Sequence, residues 1–404
     1  MSAPAQPLAG IGVVDVTTSV AGPYCTAVLG ALGAEVVKIE RPGGGDDTRA
    51  WGPPFWNGES AMYLAMNPNK RSLVVDLKAA AGRRIVERLV ASADVFIQNL
   101  RPGLAGRLGL GFEELREHND RLIYCTLGAY GPRGPLAELS GYDPLMQAAG
   151  GIMSITGEPG GLPVRSGASI VDQGTGMWAV IAILAALRER DAGGAFAQHV
   201  ETSLYETAVN LIPYQLVGYL ASGVAPRRFG SGVSILAPYE AFRSSDGWVM
   251  IAAGNDRIFE RLCDALELPA LRADPRFATN SGRVEGRAEL TRLIAEAVAT
   301  RATAEWLGRR AAAGVPAAPV LDVGEVAAHE QTEALGLRQA LPCDAIPELE
   351  LVALPISLDG RRSMHRTPPP RAGEHTGAVL AQAGYSREEI ERLVADGVVE
   401  RALG

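Results

Sequence analysis

The sequence predicts an α/β protein in which a mostly parallel sheet is followed by a smaller α+β segment. Three observations carry this reading. Ile11 to Val16 and Glu35 to Ile39 are short valine-rich runs that enclose a helical stretch, Pro23 to Leu32. Strand, helix and strand in that span form a βαβ unit with parallel strands. The alternation continues through Leu73–Val75, a helix opened by Lys78 and running to Val90, Val95–Ile97 and Leu122–Thr126. After Ser222 the texture changes to a glycine-containing loop, a hairpin and short amphipathic helices, which sets off residues 224–329 as a smaller domain.

The elements follow in order. The first run is bounded by Gly10 and by Thr17-Thr18 and reads as a buried strand. Pro23 suits a first helical turn and Gly33 a stop. The turn between them, Thr17 to Gly22, lacks G-x-G-x-x-G, which disfavours a nicotinamide dinucleotide. Arg41 follows the second strand directly and opens a glycine-rich stretch to Arg49; Gln98-Asn99-Leu100-Arg101 follows a later strand, with Arg107 one turn on. Basic residues recur just after strand ends, at Arg41, Arg101 and Arg107; they are either solvated surface charges or an anion site at the edge where open α/β sheets bind ligands.

Tyr142-Asp143-Pro144 begins a short helix, and Gly150 to Pro163 is glycine-rich. Asp172 is then the only acid between Glu158 and Glu189, just before the most apolar helix of the chain, Met177 to Leu187. A carboxylate there is either an N-cap for free helix N–H groups or a nucleophile or base that the helix dipole keeps ionised, and one residue can fill both roles. Ser203 to Tyr219 reads as another apolar helix. In the smaller domain a hairpin turns at Ser245-Asp246-Gly247, and helices are expected at Ile258–Leu266, Arg287–Ala299 and Ala304–Ala313. Beyond it come a short strand, Leu349–Val352, and a last helix announced by the capping pair Ser386 and Glu389.

Composition excludes some functions. A net charge of -8 over 404 residues argues against nucleic acid as the main partner. Lysine occurs only at Lys38, Lys70 and Lys78, read as a preference for arginine rather than as a phosphate-handling cluster. The four cysteines are far apart and form no C-x-x-C pair, which fits a reducing compartment and speaks against a structural zinc site. With no leader-like N-terminus and no apolar run reaching the ~18 residues of a membrane span, the expectation is a cytoplasmic protein.

The motifs, taken together, resemble the class III CoA-transferase family, which includes formyl-CoA transferase and the carnitine and bile-acid CoA-transferases. The resemblance rests on Ala21-Gly22-Pro23, Val37-Lys38-Ile39-Glu40, Gly44-Gly45-Asp46, Thr48-Arg49 and Asn69-Lys70-Arg71-Ser72. It continues through Asp76-Leu77-Lys78, Asn99, Arg101-Pro102-Gly103, Arg107-Leu108-Gly109, Gly141-Tyr142-Asp143, Asp172 with Gly174-Thr175-Gly176, and Gly373-Glu374-His375-Thr376. It implies a large Rossmann-like CoA-binding domain, residues 1–223 completed by 330–404, the small α+β domain at 224–329, and a homodimer of two interlocked rings. It implies Asp172 as nucleophile and Asp143 as an acid near the thioester. Arg41, Lys78, Asn99, Leu100, Arg101, Arg107 and Tyr142 are implied as residues that bind CoA. The substrates implied are an acyl-CoA and a small carboxylic acid, with no metal. CoA transfer by this route needs an ionised carboxylate, exclusion of water and N–H donors for a developing oxyanion, for which Gln173, Gly174 or a mobile glycine loop such as Gly230–Pro238 are the expected sources.

Where formyl-CoA transferases carry glutamine this chain has Val20, and where the family can place a basic residue before Tyr142 it has Ser140. Valine makes the pocket less polar and argues against a formyl/oxalate pair. The alternatives are a 2-methylacyl-CoA racemase, whose histidine falls where this chain has Tyr142, and a non-catalytic CoA-binding protein. Tyrosine, with a pKa near ~10, is a poor base for an α-proton at neutral pH.

Overall fold

The computed structural model describes residues 6–194 and 196–402. They gather into two compact units, one drawn from residues 6–150, 167–211 and 330–402, the other from 151–166 and 212–329. The change-over at 212 precedes the expected 224, and 151–166 groups with the smaller unit rather than the larger.

The first unit is built on six parallel strands: β1 (Gly12–Val16), β2 (Glu35–Glu40), β3 (Lys70–Val75), β4 (Val95–Gln98), β5 (Ile123–Gly128) and β6 (Gln198–Ser203). Their order is β3-β2-β1-β4-β5-β6, and a closing strand, Val399–Glu400, pairs antiparallel with β3 at the edge. The order reverses direction at β1, and such a switch opens a crevice at the carboxyl ends of the strands. Strand β6 was not foreseen. Gln198-His199-Val200-Glu201-Thr202-Ser203 is a polar edge segment without the apolar run of a buried strand, yet it pairs with β5 along its whole length.

The two faces of the sheet differ in chemistry. Val14, Val16, Val37, Ile39, Leu73 and Val75 point to one face and pack against helix α2 (Ala80–Val90). On the opposite face the same strands carry Asp15, Lys38, Glu40, Lys70 and Ser72, all buried. Helix α1 (Ala21–Ala31) covers these charges: Thr26 donates to Asp15 at 2.6 Å, and Lys70 donates to the Pro23 carbonyl at 2.9 Å. Lys70 also lies 3.3 Å from Asp15, and Lys38 2.8 Å from Asp46. Burial alone would raise the Asp15 carboxyl, but Lys70 and Lys38 outweigh it and hold it below the ordinary value. Burial pushes Lys70 down to about 8, against the pull of Asp15. Lys38 and Lys70 are therefore engaged in ion pairs inside the core.

Helices α3 (Asp143–Ala149), α4 (Ile170–Asp191) and α5 (Leu204–Asn210) complete the sheet's surroundings. Helix α4 begins seven residues before the expected Met177, because Asp172-Gln173-Gly174-Thr175-Gly176 reads as loop while packing makes it helix. Gly176 lets α4 meet α1: a Cβ there would lie 2.6 Å from the Ala21 carbonyl oxygen. At 22 residues and mean hydropathy 1.6, α4 has the length and composition of a membrane span; it lies in the core, half of it buried, and Arg190 near its end pairs with Asp94 at 2.8 Å. The long helix expected over Ser203–Tyr219 is two helices, α5 and α6 (Pro213–Ser222), with Pro213 starting the second.

The second unit has a three-stranded antiparallel sheet with β8 (Trp248–Ala252) between β7 (Tyr239–Arg243) and β9 (Ala317–Pro319). Helices α7 (Asp256–Ala265), α8 (Arg287–Val298) and α9 (Thr303–Ala313) bury Phe259, Ile294 and Trp306 against it. In the first unit, the final helix, α10 (Arg387–Ala395), has the full capping box of Ser386 and Glu389.

Candidate active site

A cleft of about 1180 Å³ runs along the carboxyl ends of the strands, lined wholly by the first unit. It takes in the turns after β1 to β6, the crevice that the strand order predicts. Arg41, Lys78, Asn99, Leu100, Arg101, Tyr142, Asp143 and Asp172 all line it. Arg107 does not; it ends the short helix Leu104–Arg107 with its guanidinium over Gly103, one step back from the wall. The cleft wall also includes residues the sequence did not single out: Ser19, Trp51, Met62, His199 and Glu201. The last two come from the unforeseen β6.

Three cations on the cleft wall follow strand ends. Arg41 is exposed and pairs with Asp47, and Lys78 and Arg101 are exposed at the ends of β3 and β4. The side chain of Asn99 serves the chain itself: its amide donates to the Thr18 carbonyl at 2.8 Å, and its oxygen accepts the Thr18 N–H at 3.0 Å. Asp15 accepts the Thr17 N–H, Lys38 donates to the Thr17 carbonyl, and Asp46 accepts the Ser19 N–H. Every backbone polar group from the Thr17 N–H to the Ser19 N–H is thus taken by a buried or half-buried side chain. That grip holds Ser19 at a φ of 71°, a left-handed conformation costly for a residue with a Cβ. The turn leads into α1, whose first N–H groups no side chain caps.

Asp172 also lines the cleft. It is the third residue of α4, inside the first turn rather than at the cap position, which is Ser169. One turn on, along the same face, is Gly176, so the close approach to Ala21 sets Asp172 beside the start of α1. The cap that Asp172 was expected to supply comes from Asp143. Its carboxylate accepts the Val171 N–H at 2.9 Å and the Asp172 N–H at 3.2 Å, and Gln147 donates to its second oxygen at 2.6 Å. Asp143 is 2% exposed and sits on the wall with both oxygens engaged. Burial first, and then the negative charge of Asp143, push the Asp172 carboxyl up to about 7. Asp172 is therefore a carboxylate near its midpoint at neutral pH, a pairing of position and basicity suited to attack on an acyl carbon.

Two of the expected oxyanion donors, the Gln173 and Gly174 N–H groups, are already taken. The Gln173 N–H donates to the Ser169 carbonyl at 3.0 Å, and Gly174 lies inside the helix, where the ladder takes its N–H. Gly230–Pro238 belongs to the second unit. Among the described residues, no group of three or more His, Cys, Asp or Glu side chains is placed to hold a metal ion.

Residues 8–376 match the family described as CoA-transferase family III. The chain is similar to a succinyl-CoA:glutarate CoA-transferase of Mus musculus, 37% identical over 98% of this chain and 91% of that protein. It is also similar to a succinate–glutarate CoA-transferase of Agrobacterium fabrum, 39% identical over 96% of this chain and 97% of the other. A crystal structure of a CAIB/BAIF family protein from Brucella suis superposes with a TM-score of 0.85 at 39% identity, covering 94% of this chain and all of that one.

Proposed function

The chain belongs to CoA-transferase family III and is a CoA-transferase, and from that premise we propose that Asp172 is its nucleophile and that the cleft along the strand ends is its acyl-CoA site. The observation that carries this is the half-buried, raised carboxyl of Asp172 on the wall of a cleft that also presents Arg41, Lys78 and Arg101. Those cations suit the phosphates of CoA, and the strand-end position suits its nucleotide.

The reaction then runs in four balanced steps. A carboxylate oxygen of Asp172 attacks the thioester carbonyl carbon; the C–S bond breaks, leaving a mixed anhydride and the CoA thiolate. The thiolate attacks the Asp172 carbonyl carbon and expels the donor acid as its carboxylate, leaving an aspartyl-CoA thioester. The acceptor carboxylate attacks that thioester, regenerating the thiolate and a second anhydride. The thiolate then takes the acceptor acyl group, and Asp172 returns as carboxylate. No net proton is consumed. Each barrier is lower than that of direct exchange between acid and thioester. The uncapped N–H groups of Ala21 and Gly22 are the donors we assign to the developing oxyanions, since Ala21 lines the cleft and Pro23 supplies no third N–H. Asp143, engaged on both oxygens, acts by position and charge.

Similarity to the two glutarate-handling relatives supports a dicarboxylyl donor and a dicarboxylate acceptor. In an assay of CoA transfer from succinyl-CoA and acetyl-CoA to glutarate, oxalate, malate and a monocarboxylate, we expect succinyl-CoA with glutarate to give the highest kcat/KM. Acetyl-CoA with oxalate as the preferred pair would overturn this assignment. We also propose a homodimer. Helix α6 buries none of its residues, leaving Tyr214, Val217 and Leu220 exposed, and α4 exposes Met177, Trp178 and Ile181; a second copy is the partner the family resemblance implies for such faces. Light scattering is expected to give twice the chain mass, and a stable monomer would refute it.

A further inference from the structure

We propose that Gln147 is a positioning residue for CoA transfer: by holding the Asp143 carboxylate against the first turn of α4, it sets the placement and charge environment of Asp172. This rests on Asp172 as nucleophile. Gln147 lies four residues after Asp143, on the same face of α3, and is fully buried. Its amide nitrogen is 2.6 Å from one oxygen of Asp143, whose other oxygen takes the Val171 and Asp172 N–H groups. A carboxylate accepts only, so the amide must present its nitrogen to Asp143. Rotation of the Asp143 carboxylate would break the contacts with α4, and Gln147 is the side chain that opposes that rotation from within its own helix.

The consequence reaches Asp172 in two ways. The two N–H bonds fix the backbone from which Asp172 projects, and the anion they anchor is the charge that raises its carboxyl beyond what burial does. Titratable groups on the packed elements are few: α4 offers Asp172 in its first turn, α1 offers Tyr24 and Cys25, and α5 offers Tyr205 and Glu206, the latter occupied by Ser203. Tyr142, just before α3, is exposed.

The test is the rate of covalent aspartyl-CoA formation against pH, with steady-state kcat and KM, for the full-length wild type, Gln147→Met and Gln147→Glu. Methionine keeps the volume and removes the donor. It is expected to lower kcat about tenfold, the worth of one hydrogen bond to a charged group, with the KM for acyl-CoA unchanged. It should also move the acid limb of adduct formation to lower pH, because the carboxylate that raised Asp172 is no longer held there. Glutamic acid can donate when protonated and repels Asp143 when ionised, so its rate relative to wild type should fall as pH rises. If methionine prevents folding, this second profile still decides. Profiles that superimpose on wild type in shape and midpoint overturn the inference. A wild type that forms no adduct at all overturns the reading of Asp172 instead.

Discussion

Replacing Asp172 with alanine is expected to abolish CoA transfer, by at least about 10³-fold in kcat, as removal of a covalent nucleophile does. In intact-protein mass spectrometry, wild type mixed with succinyl-CoA should gain a CoA-sized mass that hydroxylamine removes, and the alanine variant should gain none. An adduct of equal yield on the variant would place the nucleophile elsewhere. The same residue sets the pH dependence. With its carboxyl at about 7, adduct formation should climb through that pH and fall away below it. Stability should run the other way. Between the ordinary carboxyl value of 3.8 and about 7 the folded chain holds a proton that the unfolded chain has released, so the contribution is full at acid pH and is lost as pH rises through about 7. Asp172→Asn, which cannot ionise, is therefore expected to melt at a higher temperature than wild type above pH 7 while transferring no CoA. Equal melting temperatures at pH 8 would show that the half-buried charge costs the fold nothing.

Lys38→Met should cost about 3–5 kcal/mol of stability, the penalty for removing one member of a buried ion pair and leaving the other charged. The residue is fully buried, 2.8 Å from Asp46, and donates to the Thr17 carbonyl at 2.8 Å. Its loss leaves Asp46 and Asp15 short of a cation in the core and frees the turn before α1. Urea unfolding should show the loss. Adding Asp46→Asn should restore part of it, since that change removes the orphaned charge yet keeps an acceptor for the N–H groups of Ser19 and Thr48. A single variant as stable as wild type would mean that the network is ornamental to the fold.

These two positions also mark where the sequence was legible and where it was not. The first two strands, the helix between them, the hairpin at Asp246 and the capping box at Ser386 could be read because local pattern and tertiary structure agree there. So could the strand-end edge, since arginines and lysines after successive strands have one place to go in a parallel sheet. The buried charges were not anticipated: Lys38 entered only as one of three lysines and, with Glu40, as part of the motif Val37-Lys38-Ile39-Glu40. The signal was their alternation with Val37 and Ile39 in a strand between two others, where both faces must be covered. The start of α4 was hidden by glycines that close packing requires: Gly176 against Ala21, and Gly174 with a would-be Cβ 2.9 Å from Thr207. The pairing of Asp143 with the first turn of α4 is non-local, and no spacing rule reaches across it.

The placement of the three lysines gives the cleft an address in solution chemistry. Lys38 is completely buried and Lys70 is 1% exposed, so Lys78 is the sole lysine ammonium open to solvent, and it stands on the cleft wall. A reagent selective for lysine amines will thus mark a single side chain, apart from the chain terminus. That side chain lies where a CoA nucleotide is expected to sit. A fluorophore attached there would turn ligand occupancy into an optical signal without an engineered residue, and protection of that one amine would measure affinity in a protein whose other charges are left untouched.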